Sequence, residues 1–276
     1  MRYVPDHDLH DHTALSPCSN DPRQTKEAIL AYALTNGFRL VCVTDHAWDS
    51  KVECPCFNSW ESVDFERARR VLPLPQSSQC RFLMGCEVDM NQFGTVGISR
   101  EEWDRMDFVL LSTSHLNLVD FTIDPRKTGD DALSRKEYYK QRLHRLLERE
   151  DIPFYKTGLP HFTVSLVCQK DPVGYLELFG DGELKDIFTK VRRRGMGVEL
   201  NFEPDRYTRG ELKRILRPYG IAKECGCKFF FGGDAHVPEN FVGRREAFEK
   251  IINLLQLEEK DKFPFVAQKI ARSDLE

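Results

Sequence analysis

The sequence contains no apolar run of the roughly 18 to 20 residues that a membrane-spanning helix requires. Its first residues also lack the apolar stretch of a secretory signal, so we expect a cytoplasmic protein without a membrane partner. Internal repeats, low-complexity segments and linkers rich in Pro, Gly or Ser are absent, which favours a single domain over residues 1–276. A basic excess is missing too: Lys and Arg number 40 against 44 Asp and Glu, which argues against tight nucleic-acid binding.

The cysteine pattern argues against a disulfide framework. The nine cysteines are odd in number and scattered over the chain, unlike those of small secreted domains. Two close pairs, Cys54 with Cys56 and Cys225 with Cys227, have one intervening residue, whereas structural zinc sites usually have two or more. We therefore expect thiols outside disulfides rather than a four-cysteine zinc site.

Short β-like runs alternate with amphipathic helices along the chain. Continuous apolar runs predict strands at Arg39–Thr44, Arg81–Cys86, Phe108–Thr113, Met196–Asn201 and Lys228–Phe231. Apolar stripes of helical period predict helices at Gln24–Asn36, Ser59–Leu72, Ser134–Glu150, Leu184–Val191, Leu212–Tyr219 and Phe248–Leu255. Such alternation is typical of a parallel sheet, and about seven strand–helix steps favour a closed barrel over an open doubly wound sheet. The aperiodic segment Asn117–Asp131 is expected to be a mobile loop or lid.

Polar residues interrupt the apolar pattern at the ends of these strands. Six of the eight histidines lie at or just past such an end, namely His10, His12, His46, His115, His161 and His236. Three carboxylates, Asp45, Glu87 and Asp234, share that placement. Because the loops at the C-terminal strand ends form the mouth of a parallel barrel, we expect these side chains to meet there. Many imidazoles and carboxylates at one mouth predict a multinuclear site for Zn, Mn or Fe.

Two motifs repeat the same two-residue spacing. In Asp8-Leu9-His10-Asp11-His12 the two imidazoles share one face of an extended chain. In Gly232-Gly233-Asp234-Ala235-His236 the carboxylate and the imidazole do so, and the glycines are expected to make a tight turn. His7 and His144 are expected to lie outside the cluster.

The order of these motifs resembles the PHP (polymerase and histidinol phosphatase) superfamily. D-L-H-D-H, T-D-H, a strand-end glutamate, S-H, P-H and G-D-A-H follow one another from His10 to His236. Val198-Glu199-Leu200-Asn201 is more similar to the histidinol-phosphatase-like branch than to the polymerase-associated one. The resemblance implies a distorted (β/α)7 TIM-like barrel with a trinuclear metal centre, and a phosphomonoesterase of histidinol phosphatase type.

The resemblance also implies how the ligands divide among three divalent ions. The first ion would be held by His10, His12, Glu87 and Asp234. The second would be held by His115, His161 and Glu87, which bridges. The third would be held by His46, His236 and Cys18, which stands where these relatives have a histidine. Asp21 is the alternative to Cys18 at the third site.

Phosphate ester hydrolysis would then follow from the metal ions, which generate a hydroxide that attacks phosphorus in line. We expect Asp234 or Asp45 to carry a proton to the leaving alkoxide, unless Asp45 only orients His46. Arg206, Arg209 and Arg244 are the candidates for binding the phosphate of a small substrate.

Three other functions stay open at this point. A PHP-type nuclease would use the same cluster, but the basic tracts Arg67–Arg70 and Arg192–Arg194 lie on predicted helices and are expected to be solvated. A metal-dependent amide or ring hydrolase would usually have a bridging lysine where this chain has Glu87. The third is a metal-binding barrel without turnover.

Overall fold

The computed structural model is a nearly closed barrel of seven parallel strands surrounded by helices. It describes residues 1–54 and 63–273. The strands are β1 (His7–Asp11), β2 (Leu40–Val43), β3 (Arg81–Asp89), β4 (Phe108–Ser112), β5 (Thr157–Leu159), β6 (Gly197–Leu200) and β7 (Lys228–Phe231). Each strand pairs in parallel with the next one in sequence, so the predicted (β/α)7 barrel is confirmed.

The helices pack around the barrel and connect successive strands. They are α1 (Lys26–Thr35), α2 (Phe65–Ala68), α3 (Arg100–Arg105), α4 (Ala132–Leu147), α5 (Asp181–Arg194), α6 (Arg209–Glu224), α7 (Arg244–Leu255) and α8 (Pro264–Ser273). The side chains of Thr25, Asp131 and Thr208 accept bonds from backbone N–H groups three residues on, and so determine where α1, α4 and α6 begin. None of the helices within the two described ranges combines the length and apolarity that crossing a bilayer demands.

The predicted elements differ from the structure in a few places. The first part of the helix predicted at Ser59–Leu72 falls in residues 55–62, which lie outside the described chain. In the described part of that range, the structure has only α2 and a 3-10 turn at Arg69–Val71. Helices α3 and α8 had no counterpart among the predicted helices. Cys56 also lies outside the described residues, and the other eight cysteines form no disulfide there.

An apolar cluster fills the barrel and is closed at one end by α8. Its members are Leu9, Leu40, Cys42, Leu83, Phe108, Leu110, Phe230, Phe263, Phe265, Val266 and Ile270. Lys269 of α8 lies 2.5 Å from Asp107, the residue before β4, so α8 covers the N-terminal ends of the strands. The opposite, C-terminal end is therefore the end that is open to a ligand.

The barrel closes between β1 and β7 through backbone and side-chain bonds. Past the end of β7 the Asp234 N–H donates to His10 O at 2.6 Å. Nearer the middle, the Phe231 N–H donates to His7 Nε2 at 3.0 Å and the Gly233 N–H to a carboxylate oxygen of β1 at 2.8 Å. The imidazole of His7 therefore belongs to this seam, which agrees with its predicted place outside the cluster.

We expect Gly158→Ala to destabilise the protein by about 1–3 kcal/mol, because an overpacked interior forces its neighbours apart. A Cβ at Gly158 would lie 2.5 Å from Phe230 Cζ and 2.8 Å from Leu110 Cδ2. The matched control is Gly220→Ala in α6, where a Cβ meets no described atom within 4 Å. Alanine favours a helix interior over glycine by about 1 kcal/mol. Chemical denaturation should therefore give a lower free energy of unfolding for Gly158→Ala and a higher one for Gly220→Ala. An unchanged value for Gly158→Ala would contradict the close packing at Gly158.

Candidate metal centre

The C-terminal strand ends carry a cluster of imidazoles and carboxylates around one cleft. Its members are His10, His12, His46, Glu87, His115, His161, Asp234 and His236. The first six of these residues are at most 6% exposed. The cleft has a volume of about 310 Å³, and Cys18, Asn117, Leu118 and Leu166 complete its described lining. The strand-end placement therefore brings together all eight of these predicted residues.

Glu87, which lies in β3, is at the centre of the cluster. Nitrogen atoms of five imidazoles lie within 3.5 Å of its carboxylate, those of His10, His12, His46, His115 and His161. Its Oε2 atom faces His10 and His12, whereas its Oε1 atom faces His115 and His161. Burial opposes a charge on Glu87, but the imidazoles hold the pKa of this carboxyl well below its usual value. Two oxygens directed at different imidazoles fit a carboxylate that bridges two cations.

Asp234 faces Glu87 across the cluster. Its Oδ1 atom lies 3.2 Å from His12 Nε2, and its Oδ2 atom lies 3.3 Å from His161 Nε2. The backbone is left-handed at both Asp234 and His161, with φ values of 50° and 55°. Such a conformation is uncommon outside glycine and costs on the order of 1 kcal/mol, so the surrounding structure holds these two side chains in place.

The glycines before Asp234 have a different role from the predicted tight turn. Neither Gly232 nor Gly233 has a positive φ. A Cβ at Gly232 would lie 2.1 Å from Glu199 Oε1, and a Cβ at Gly233 would lie 2.6 Å from Asp8 Oδ2. The two glycines therefore allow the chain to approach buried carboxylates, while the left-handed residue is Asp234 itself.

Buried carboxylates orient the imidazoles from behind. His10 Nδ1 donates to Glu199 Oε1 at 2.6 Å, and His115 Nδ1 donates to Asp89 Oδ1 at 2.9 Å. In the neutral form of each ring the other nitrogen is the unprotonated one, and it points into the cluster. Neither orienting role was predicted from the sequence. The signal that could have indicated them is a carboxylate within a mainly apolar strand, as at Glu199 in β6, or at the end of one, as at Asp89 in β3.

The imidazole nitrogens of the cluster are better placed to bind cations than to hydrogen-bond one another. His161 is 1% exposed, and neither of its ring nitrogens has a hydrogen-bond partner among the described residues. His10 Nε2 lies 3.1 Å from His12 Nε2, where at most one of the two atoms can donate a proton. Imidazole nitrogen and carboxylate oxygen are ligands that suit Zn, Mn and Fe. These residues therefore fit divalent metal binding.

Five groups of three residues each bring one potential ligand atom within 4.8 Å of the others. The groups are His12–Cys18–His236, His10–His12–Asp234, His10–Glu87–His161, His12–His46–Glu87 and His46–Asp89–His115. The predicted third set is divided between two places. Cys18 lies with His236 as expected, but His46 lies with Glu87 and with His115 instead.

Asp45 does not face the cluster. Its two carboxylate oxygens accept hydrogen bonds from the backbone and the hydroxyl group of Thr13, at 2.7 and 2.6 Å. The described side-chain contacts of Asp45 do not include a bond to His46. Asp45 is also not part of the described lining of the cleft. Its predicted roles, as a proton carrier or as the partner of His46, are therefore not supported.

The three predicted phosphate-binding arginines also lie away from the described lining of the cleft. Arg206 is paired with Glu203 at 2.6 Å and is largely exposed. Arg244 is buried, donates to Asn240 O and lies 3.3 Å from Glu203. Arg209 lines a separate groove beside α6 and the end of α7. Sequence position after a strand was too weak a signal to place these side chains.

Arg142 of α4 fixes the loops that follow β3 and β4. Its guanidinium group is buried and donates to Thr113 O at 2.9 Å and Thr122 O at 2.8 Å, and also to Met90 O. Only the middle of the segment Asn117–Asp131 is held against the barrel, since residues 121–124 are buried and most of the others are exposed. The expected mobility of the exposed remainder stays a prediction.

Sequence comparison and structural comparison differ in what they find. No family model and no curated protein matches the chain by sequence. The structure matches histidinol phosphate phosphatase HisK from Lactococcus lactis, solved with Zn, L-histidinol and phosphate, with a TM-score of 0.65 and 13% identity over 94% of this chain and 98% of that chain. The chain has the same barrel fold as this structure.

A second similar structure is HisK from Listeria monocytogenes, assigned as a histidinol phosphatase. Its TM-score is 0.57 and its identity 16%, over 86% of this chain and 97% of that chain. At these identities the likeness establishes the barrel. The resemblance to histidinol phosphatases, inferred from the order of the motifs, is confirmed at the level of the fold.

We expect Glu199→Gln to lower the affinity for Zn²⁺ by roughly 10- to 100-fold, because His10 loses the carboxylate that orients it. Glu177→Gln is the matched control, since Glu177 pairs with Arg214 on the surface at 2.7 Å. Competition with a chromogenic chelator would measure both affinities. Equal affinities in the two variants would show that Glu199 does not support metal binding.

Metal affinity is expected to rise with pH in the neutral range. Burial alone would lower the pKa of His115, but Asp89 and Glu87 raise it to about 9 in the metal-free protein. His115 is then protonated below that pH, and a cation has to displace its proton. Apparent affinity should therefore increase between about pH 6.5, the ordinary value for histidine, and pH 9. Calorimetry in two buffers of different ionisation enthalpy would measure the released protons, and a buffer-independent heat would contradict this account.

Proposed function

We propose that this protein is a metal-dependent phosphoesterase that hydrolyses a small phosphomonoester, as histidinol phosphatases do. The observation that carries the proposal is Glu87, whose two oxygens face different groups of imidazoles at the open end of the barrel. The fold supports it, because a similar barrel binds Zn, L-histidinol and phosphate. Histidinol phosphate is accordingly the first substrate to test.

The proposed ligands of three Zn, Mn or Fe ions are His10, His12, His46, Glu87, His115, His161, Asp234 and His236. When bound, such ions would lower the pKa of a water molecule and neutralise negative charge on phosphoryl oxygens. Glu199 and Asp89 hold His10 and His115 with one nitrogen directed into the cluster. The protein's share of catalysis is thus mainly the fixed position of its ligands.

Asp234 is the residue that we propose for proton transfer to the leaving alkoxide. Its side chain is 27% exposed toward the cleft, whereas that of Glu87 is 1% exposed. Asp234 would take up the proton released by the attacking water and pass it to the alkoxide, because, despite partial burial, the imidazoles of His10, His12 and His161 hold the pKa of this carboxyl well below its usual value. Asp45 is unsuited to this step because both of its oxygens are bound by Thr13.

The cleft favours a small phosphate ester over a polynucleotide. The lining that the structure describes contains no Lys or Arg, and its volume is about 310 Å³. Nucleic-acid binding depends on several cationic contacts to successive phosphates. Arg67 and Arg194, from the two basic tracts, donate to the carbonyl groups of Leu15 and Leu147 and so brace the barrel. The charge of a bound phosphate would therefore be met by metal ions and by the Asn117 amide.

A substrate panel distinguishes the proposed function from its alternatives. Protein stripped with a chelator and reloaded with Zn, Mn or Fe would be assayed on histidinol phosphate, other phosphomonoesters, a dinucleotide and single-stranded DNA. Hydrolysis of a phosphomonoester supports the proposal. Hydrolysis of the dinucleotide or the DNA alone would assign a nuclease, and bound metal without any turnover would assign a binding barrel.

Glu87→Gln is expected to reduce phosphatase activity by more than about tenfold, since a neutral amide is a poor bridging ligand and leaves the imidazoles without their counter-charge. His144→Gln is the control, because His144 lies on α4 and contacts Lys190 at 3.0 Å, outside the cluster. Steady-state rates at saturating metal would be compared with the metal content of each variant. Activity of Glu87→Gln above a tenth of the parent value would contradict bridging by Glu87.

A further inference from the structure

One sulfur atom lines the mouth of a cleft whose other potential ligands are nitrogen and oxygen. Cys18 lies with His12 and His236 in a group whose potential ligand atoms are all within 4.8 Å of one another. We propose that Cys18 Sγ is a ligand of the outermost cation and makes this position prefer Zn²⁺ over Mn²⁺. The inference rests on the proposed metal centre and is independent of the identity of the substrate.

The outer position is incomplete without Cys18. Among the described residues, His236 occurs in no other group of three, whereas His12 also occurs in two groups with the inner ligands. The ring of His236 stacks on that of His12 with centroids 4.7 Å apart. His236 Nδ1 donates to Asp234 O at 2.8 Å, which leaves its Nε2 atom as the one that a cation can use. Cys18 and His236 are therefore the two potential donors that occur only in the outer group.

The loop between β1 and α1 holds this thiol over the cluster. Ser16 Oγ lies 3.3 Å from Cys18 Sγ and 3.1 Å from His12 Nδ1, and it accepts the His46 N–H at 3.2 Å. On the other side of Cys18, the Ser19 hydroxyl donates to His236 O at 2.6 Å. Ser16 and Ser19, on the two sides of Cys18, are thus both bonded to the cluster, and the loop holds the thiol beside His12 and His236.

Asp21, the alternative donor in this loop, is already engaged. Its carboxylate accepts bonds from the backbone N–H of Arg23 at 2.8 Å and from the Arg23 guanidinium at 3.0 Å. It belongs to none of the ligand groups found within the described ranges. The geometry therefore favours sulfur over oxygen as the ligand from this loop.

A thiolate changes which cation the outer position prefers. Coordination removes the thiol proton, and thiolate is a soft ligand that suits Zn²⁺, Co²⁺ and Fe²⁺. Mn²⁺ prefers carboxylate, carbonyl and water oxygen. The inner positions, with nitrogen and oxygen ligands, should discriminate less between the two metals.

Cobalt substitution tests the sulfur bond directly, because a thiolate bound to Co²⁺ gives a charge-transfer absorption band in the near ultraviolet. We expect this band in the parent protein and in Cys225→Ser, whose altered thiol follows α6 and contacts Lys185 O of α5. The band should disappear in Cys18→Ala and in Cys18→Ser. Metal counting should show that Cys18→Ala loses about one ion per chain, and that Cys18→His regains the ion without the band.

The outcomes separate this inference from the proposed metal centre. Cobalt bound without the band would overturn the role of Cys18 and leave the metal centre standing, as would full metal content in Cys18→Ala. Absence of cobalt binding by the parent protein would overturn both.

Alkylation gives a second readout that needs neither cobalt nor activity. A bound thiolate reacts slowly, so Zn²⁺ should protect Cys18 from iodoacetamide, and removal of the metal should expose it. Cys225, which is half-buried with its Sγ atom 3.8 Å from Lys185 O, is the internal control. Equal labelling of Cys18 with and without Zn²⁺, as judged by site-resolved mass spectrometry, would overturn the proposal.

Discussion

Burying a carboxylate costs several kcal/mol unless opposite charge or hydrogen bonds surround it. Glu87 is 1% exposed at the centre of the barrel mouth, and its compensation comes from imidazoles on β1 and on the loops after β2, β4 and β5. Those segments have to converge for the charge to be tolerated. Burial of Glu87 therefore depends on closure of the barrel, because closure brings together the segments that carry the imidazoles.

The register of the strands determines which way the imidazoles of His10 and His115 are oriented. His10 on β1 is oriented by Glu199 on β6, and His115 after β4 is oriented by Asp89 on β3. The pairing of β1 with β2 shifts register between Asp8 and Asp11, a bulge that directs Leu9 into the apolar interior and His10 toward Glu199. A bulge of this kind re-aims a side chain without breaking the sheet, and here it lets Leu9 and His10 both face the inside of the barrel.

The parts of the fold that were predictable from sequence are those encoded locally. Lys228–Phe231 was predicted with its observed bounds, because an apolar run carries its own signal. His46, His115 and His236 were predictable for the same reason, since each follows such a run within a few residues. The partners of Asp45, Arg142 and Arg244 were not, because a hydrogen bond between residues far apart in sequence leaves no mark on either local pattern. Helix α8 likewise gains its place from the barrel interior that it covers.

The two kinds of ligand differ in how firmly the fold determines them. His10 and Glu87 lie within strands and are buried. Glu87 pairs with Leu110 of β4, and His10 O accepts the Asp234 N–H. Cys18 lies in a loop and is exposed, and His236 follows β7 with its side chain 31% exposed. A change of donor at an inner position disturbs a buried charge and the barrel seam together. A change at the proposed outer position alters one loop side chain, so we expect the inner cluster to keep its arrangement when the outer donor changes.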